Sequence, residues 1–156
     1  MNVEISLNVF YNIFMSPEKE KLLCEKYPKI FKSSQHNDEP IEMWGFECND
    51  GWFELIDTLC NKIQSHVDWR SKNLQDVSEI EGLQVTAEQV KEKFGGLRFY
   101  TSGGDDITDA FISFAETMSM KICEMCGQSG KQQSDRGWIH TACDPCFEKR
   151  AWRTTT

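Results

Sequence analysis

Cys123-Glu124-Met125-Cys126-Gly127 and Cys143-Asp144-Pro145-Cys146, with sixteen residues between Cys126 and Cys143, decide how the last quarter of this 156-residue chain folds. A C-x2-C pair offers two thiolates around one tight turn, and two such pairs complete a tetrahedral sulfur shell. The spacing predicts a zinc site made by Cys123, Cys126, Cys143 and Cys146. Gly127 has no Cβ, so the chain can turn back after the second thiolate. Gly130 and Gly137 bracket a polar turn that Trp138-Ile139 follows, which predicts a small hairpin. The second pair runs into Phe147-Glu148-Lys149-Arg150-Ala151-Trp152, which predicts a helix. Knuckle, hairpin and helix in that order make a treble-clef-like finger. Four thiolates leave no coordination position for water, so the expected Zn²⁺ is structural.

His140 stands three residues before Cys143 and is the one alternative ligand. Catalytic zinc folds fit poorly. A deaminase needs a His-x-Glu ahead of Pro-Cys-x-x-Cys, and none is present. A treble-clef nuclease needs a second His or Asn within the finger helix, and Phe147 to Arg153 holds neither.

Charge is uneven along the chain. The formal total is −8, residues 120–156 carry +2, and the remainder therefore carries −10. A four-thiolate zinc returns about −2 to the C-terminal part. An acidic body repels phosphate, so nucleic acid is disfavoured as a partner, while a basic protein surface is compatible. Seven cysteines, four of them paired as ligands and Cys24, Cys48 and Cys60 scattered, suit a reducing compartment better than a disulfide framework. Met1-Asn2-Val3-Glu4 lacks the basic start of a secretory signal, and no apolar run approaches membrane-spanning length, so a soluble cytoplasmic protein is expected.

Residues 1–119 read as an α+β body and 120–156 as the zinc finger packed on it. Alternation over 3–11 predicts a strand. Ser16-Pro17-Glu18 opens a helix that stops at Tyr27, before Pro28. Residues 33–40 are a polar loop, and Met43 to Cys48 a short strand. Trp52, Leu55, Ile56, Leu59, Ile63 and Val67 recur at helical steps and predict a long amphipathic helix. Residues 70–82 are polar and read as loop. Residues 83–102 fit either a helix, with Thr86-Ala87-Glu88-Gln89 as a capping box, or a hairpin turning at Gly95-Gly96. The hairpin is preferred because Leu97-Arg98-Phe99-Tyr100-Thr101 is strand-like and needs a partner. Gly103-Gly104-Asp105-Asp106 opens a second amphipathic helix, with Ile107, Phe111, Phe114, Met118 and Ile122 expected on its buried side.

Several other groups carry weaker signals. Asp105, Asp106 and Asp109 suit a helix N-terminus, with a cation site as the alternative. His66 and Cys60 are six residues apart, which is not a one-face spacing. Lys149, Arg150, Trp152 and Arg153 are basic and aromatic, and suit either a phosphate contact or the cationic end of a helix. Lys91, Lys93, Arg98 and Tyr100 form the candidate binding strip: a basic patch with an aromatic on an otherwise acidic body, built from residue types that anchor interfaces.

Four segments together resemble a family of small uncharacterised phage and prophage proteins. They are Lys26-Tyr27-Pro28-Lys29-Ile30-Phe31, Trp44 to Trp52 (Trp-Gly-Phe-Glu-Cys-Asn-Asp-Gly-Trp), Lys91 to Tyr100 (Lys-Glu-Lys-Phe-Gly-Gly-Leu-Arg-Phe-Tyr) and the Cys123 to Cys146 finger. The resemblance spans roughly residues 26–146. It implies no transferable activity, but accessory phage proteins often bind a host protein, including components of host defence. The leading expectation is a non-enzymatic, phage-type accessory protein that binds a host protein in the host cytoplasm and inhibits a defence system. A nucleic-acid-associated zinc protein and an enzyme with a pocket invisible in sequence are the alternatives.

Overall fold

The computed structural model describes residues 14–32 and 45–149. The expected strand over 3–11, the loop over 33–40, Met43, Trp44 and the tail from Arg150 onward lie outside them. Within these residues the chain mixes five α-helices with two small antiparallel sheets.

Helix α1 runs Pro17–Lys26, with Ser16 at its N-cap and Tyr27 at its C-cap. A 3-10 turn, Asp50–Trp52, leads into α2, Phe53–Ser71. The face predicted for α2 is the buried one: Ile56, Leu59, Cys60, Ile63 and Val67 all lie in the core. Expectation and structure part after α2. Residues 70–82, expected as loop, enter a helix, α3 (Val77–Leu83). It buries only Leu83, so it shows no periodic apolar face. Its start is set locally by Asp76, whose carboxylate accepts from the backbone N–H of Ser78 and Glu79.

From Thr86 on, the 83–102 segment is a hairpin. Strand β1 (Thr86–Lys93) pairs with β2 (Gly96–Ser102), with Lys91 opposite Arg98 and Val90 opposite Phe99. The two-residue turn is Phe94-Gly95, one position earlier than read, and both residues have positive φ, at 52° and 77°. This is the type I′ geometry whose twist matches the strands it joins. Val90, Leu97 and Phe99 enter the core with Phe31, Phe46, Trp52 and the α2 face.

Both hairpin edges are covered. On the β1 side Glu47 forms an isolated parallel bridge to Lys91, with Glu47 N–H donating to Val90 O at 3.0 Å and Glu92 N–H to Glu47 O at 2.8 Å. This bridge is what stands, among the described residues, of the strand expected over Met43 to Cys48. On the β2 side the backbone N–H groups of Leu97 and Phe99 donate to Ser119 Oγ (2.8 Å) and Glu116 Oε1 (3.0 Å) of helix α4, Asp106–Ser119. Side chains thus satisfy an edge that would otherwise invite another strand.

The buried side of α4 is the predicted one only in part: Phe111 and, just past the helix, Ile122 pack on the core and Met118 is half-buried. Thr108, Ala115 and Ser119 are fully buried, and Phe111 and Ile112 partly, whereas Ile107 is 48% and Phe114 67% exposed. The interface is rotated by one residue, toward small side chains. Small residues let the helix approach β2 closely enough for Ser119 and Glu116 to reach its backbone, which the larger Ile107–Phe114 stripe would prevent.

Strands β3 (Lys131–Asp135) and β4 (Trp138–Ala142) form the second hairpin, and the short helix α5 (Asp144–Glu148) follows. No helix among the described residues is long and apolar enough to cross a membrane.

Candidate metal centre

The first C-x2-C forms a knuckle after α4. Gly127 N–H donates to Cys123 O at 2.8 Å and Cys123 N–H to Gln128 O at 2.7 Å, which turns both thiols to one side. The second pair straddles the start of α5, with Cys143 at its N-cap and Pro145 in its first turn. The four Sγ atoms lie within 4.8 Å of one another, and Cys126 Sγ stands 3.6 Å from Cys143 Sγ. A tetrahedral four-sulfur site with metal–sulfur bonds of about 2.3 Å has edges of about 3.8 Å. The donors are therefore gathered at the separation an ion requires. This C-terminal four-cysteine cluster is positioned to hold a metal ion, and His140 is not among its members.

The four thiols differ in acidity. Hydrogen bonding from the backbone N–H of Cys146 lowers Cys143 below the ordinary thiol value. Burial raises Cys126 against a hydrogen bond from the backbone N–H of Gln128, and burial, then the neighbouring sulfurs, raise Cys146. Four adjacent thiolates are stable together only around a cation. Cys24, Cys48 and Cys60 behave otherwise. Burial first, then nearby carboxylates, push Cys24 up to about 11 and the other two well above the usual thiol range. They are neutral thiols that fill space.

The knuckle is fastened to the body through residues 49–52. Gly51 N–H donates to Glu124 O at 2.7 Å, and Trp52 Nε1–H to Ile122 O at 2.9 Å. A Cβ on Gly51 would run into the carbonyl oxygens of Cys123 and Glu124. Glu124 is buried, and its Oε1 accepts from Asn49 N–H (3.1 Å) and Asn49 Nδ2 (3.0 Å). Burial, opposed by those two bonds, raises its carboxyl to about 7. Nothing in the residue order marked Glu124 or Gly51 as a joint. A Gly after Asn-Asp reads simply as a turn.

The finger also holds the β1–β2 turn. Thr141 Oγ1 donates to Gly95 O, Gln132 Nε2 to Phe94 O at 3.4 Å, and Glu92 Oε1 accepts Gly95 N–H at 2.6 Å.

The four residues of the binding strip fall on one face of the first hairpin. Lys91 is cross-strand from Arg98, Lys93 from Gly96, and Gln89 from Tyr100. Arg98 folds its guanidinium back so that Nη1 donates to Leu97 O at 2.8 Å, over Gly96. Asp105 resolves as a helix cap: its Oδ1 accepts from Ile107 and Thr108 N–H, and Thr108 Oγ1 returns a bond to its backbone. Its other oxygen meets His66 Nε2 at 2.8 Å, linking α2 to α4. Asp106 and Asp109 point to solvent. The cysteine cluster is the one group of three or more metal-type ligands among the described residues.

Comparison with protein-family models, curated proteins and solved structures found no match.

Proposed function

We propose that this chain is a non-enzymatic binding protein whose four-cysteine cluster holds a structural zinc ion. Its working surface is the hairpin face of Lys91, Lys93, Arg98 and Tyr100. The observation that carries the reading is the grouping of these side chains. Three cations and an aromatic share one face of a chain whose formal charge is −8. The opposite face, with Val90, Leu97 and Phe99, fills the core, so the hairpin is rigid behind its outer side. A rigid support lowers the ordering cost of an interface. The metal shell is complete with four sulfurs, which suits a scaffold role and leaves no open position for chemistry.

The resemblance to small phage and prophage proteins extends this proposal to a partner: a protein of the host cell, with inhibition of a host defence component as the consequence. The test uses the zinc-loaded protein as bait in a bacterial lysate, with captured proteins identified by mass spectrometry. Arg98→Ala combined with Tyr100→Ala should lose the specific capture while the melting temperature stays within a few degrees. Capture at full strength by the double variant refutes the surface. Specific recovery of nucleic acid, removed by nuclease, supports the nucleic-acid alternative instead.

A further inference from the structure

The turn that joins β1 to β2 breaks a local rule. A type I′ turn places both central residues at positive φ, where Asn-Gly is favoured and a bulky side chain is an outlier. Here the first central residue is Phe94, at φ 52°, with its side chain 68% exposed. The ring is not part of the core, and Lys93 Nζ stands over it, 5.6 Å from the centroid. The backbone beneath it is held by Gln132, Thr141 and Glu92, so the ring projects from a fixed point. The fold would be served better by Asn at this position.

A second rule is broken beside it. Lys91 and Arg98 face each other directly across the strands, and like charges so placed destabilise a sheet. Among the described residues Lys91, Lys93 and Arg98 enter no ion pair, while Lys19, Lys26, Lys29 and Lys131 each meet a carboxylate. Two costs to stability, one steric and one electrostatic, fall on a single hairpin face. Such coincidences mark sites kept for something other than folding. Ile139 lies against Gly95 and Met120 against Gly96, both partly exposed, so the finger extends the patch across the seam.

We infer that this face, with Phe94 as its apolar anchor and Lys91, Lys93 and Arg98 as its charge, binds an acidic protein segment carrying an apolar or aromatic residue. The inference rests on the binding reading above and names the chemistry of the partner. Three unpaired cations on an acidic molecule steer an acidic segment to this face and repel it elsewhere. A long polyanion such as nucleic acid would also meet the acidic remainder. Strand addition is not available, because both hairpin edges are already bonded. Recognition is therefore by side chains.

The test uses zinc-loaded, isotope-labelled full-length protein. The probes are a peptide of about twelve residues, Asp/Glu-rich with one Phe and two Leu, a Lys-rich peptide of equal length, and a twelve-nucleotide oligothymidylate. The acidic peptide should shift the amide signals of residues 89–100 and 139–141, and weaken as salt rises from about 50 to about 300 mM. Phe94→Asn should raise the melting temperature and weaken peptide binding by about fivefold or more. Arg136→Asn relieves the same strain in the second hairpin's turn, where Arg136 also has φ 52°. It should raise the melting temperature and leave binding unchanged. Lys91→Glu should reduce binding without unfolding the protein, and Lys72→Glu, in the groove between α2 and α3, should not.

Unchanged affinity in Phe94→Asn, shifts that map elsewhere, absence of peptide binding, or tighter binding of the oligothymidylate each overturns the inference. If the Arg98/Tyr100 double variant loses a captured host protein while the acidic peptide fails to bind, the binding role stands and the partner chemistry falls. If the peptide binds as described and no host protein is captured, the binding face and the partner chemistry stand and the host-protein reading falls.

Discussion

The two hairpins share a turn and little else. Phe94-Gly95 and Arg136-Gly137 are both two-residue turns with positive φ at each position, the first residue at 52° in both. The first hairpin has strands of eight and seven residues, buries one face in the core and has both edges bonded. The second has strands of five residues and buries only Thr141 and Ala142. A Cβ on Gly95 would press against Ile139, whereas one on Gly137 would meet nothing. The same local geometry thus lies over an apolar core in one case and beside a four-cysteine cluster in the other. An isolated two-stranded ribbon is marginal in water, so a metal ion bound by the four cysteines would do for the finger what Val90, Leu97 and Phe99 do for the body.

The largest expected effect separates the two at once. Chelation, or Cys123→Ser, should release one zinc per chain and unfold residues 120–149, since a closed thiolate site contributes on the order of 10 kcal/mol to its module. Amide signals from β3 and β4 should collapse while those of β1 and β2 stay dispersed. Metal analysis without zinc, or a finger indifferent to chelator, would break the comparison.

Leu59→Ala attacks from the other side. Leu59 lies in the core cluster that holds Leu97 and Phe99. The substitution should cost roughly 2–5 kcal/mol in chemical denaturation, with zinc stoichiometry unchanged. A cost under about 0.5 kcal/mol would mean the first hairpin does not depend on that core.

Asp105→Ala tests the helix that bonds the β2 edge. Losing the cap should cost about 1 kcal/mol. Burial raises the Asp105 carboxyl, but the bond from His66 and the N–H groups of Thr108 and Ile107 outweigh it, so the net shift is downward. A carboxyl lowered by folding contributes stability above its unfolded value and loses it as pH falls through its folded one. The gap between wild type and variant should therefore be widest near neutrality and narrow in acid. A gap that is flat from pH 7 down to about 3 would refute the assignment.

Arg136→Asn carries the smallest effect. Asn tolerates the left-handed conformation better than Arg, so the finger should gain up to about 1 kcal/mol, read as tighter retention of metal against chelator. No gain would show that the second turn is not strained.

Much of this arrangement was legible in the residue order. The four-cysteine cluster was, because two C-x2-C pairs have few other uses. So were α1, from Ser16-Pro17 at its start and Pro28 beyond its end, α2, from its long periodicity, and the hairpin, from its glycines and the strand-like Leu97 to Thr101. Helix α3 was missed because seven residues with one buried side chain carry no period, although Asp76-Val77-Ser78-Glu79 holds a capping signal. The face of α4 was misread in part because two stripes compete on it, and bulk favoured Ile107 and Phe114 over Thr108 and Ser119. What decides between them is the unbonded edge of β2, which becomes visible only once the strands are paired. The joint at Gly51 and Glu124 had no signal for the same reason: it links residues far apart in the chain. The register places Lys91, Lys93, Arg98 and Tyr100 on one face, and the strip of residues 94–100 begins at Phe94, whose place in the turn depends on a pairing register that the residue order does not give.

That joint has a kinetic consequence. Asn49 and Glu124 are 75 positions apart, whereas Cys123 and Cys126 can close on an ion within a few residues. Contacts of short separation form early and those of long separation late. Metal capture by the knuckle should then precede its seating on the Asn49–Trp52 turn. Refolding in the presence of zinc should show a fast phase seen by a thiol or metal probe and a slower one seen by Trp52 fluorescence. In the interval between them, the ion is held by a finger that has yet to find the rest of its protein.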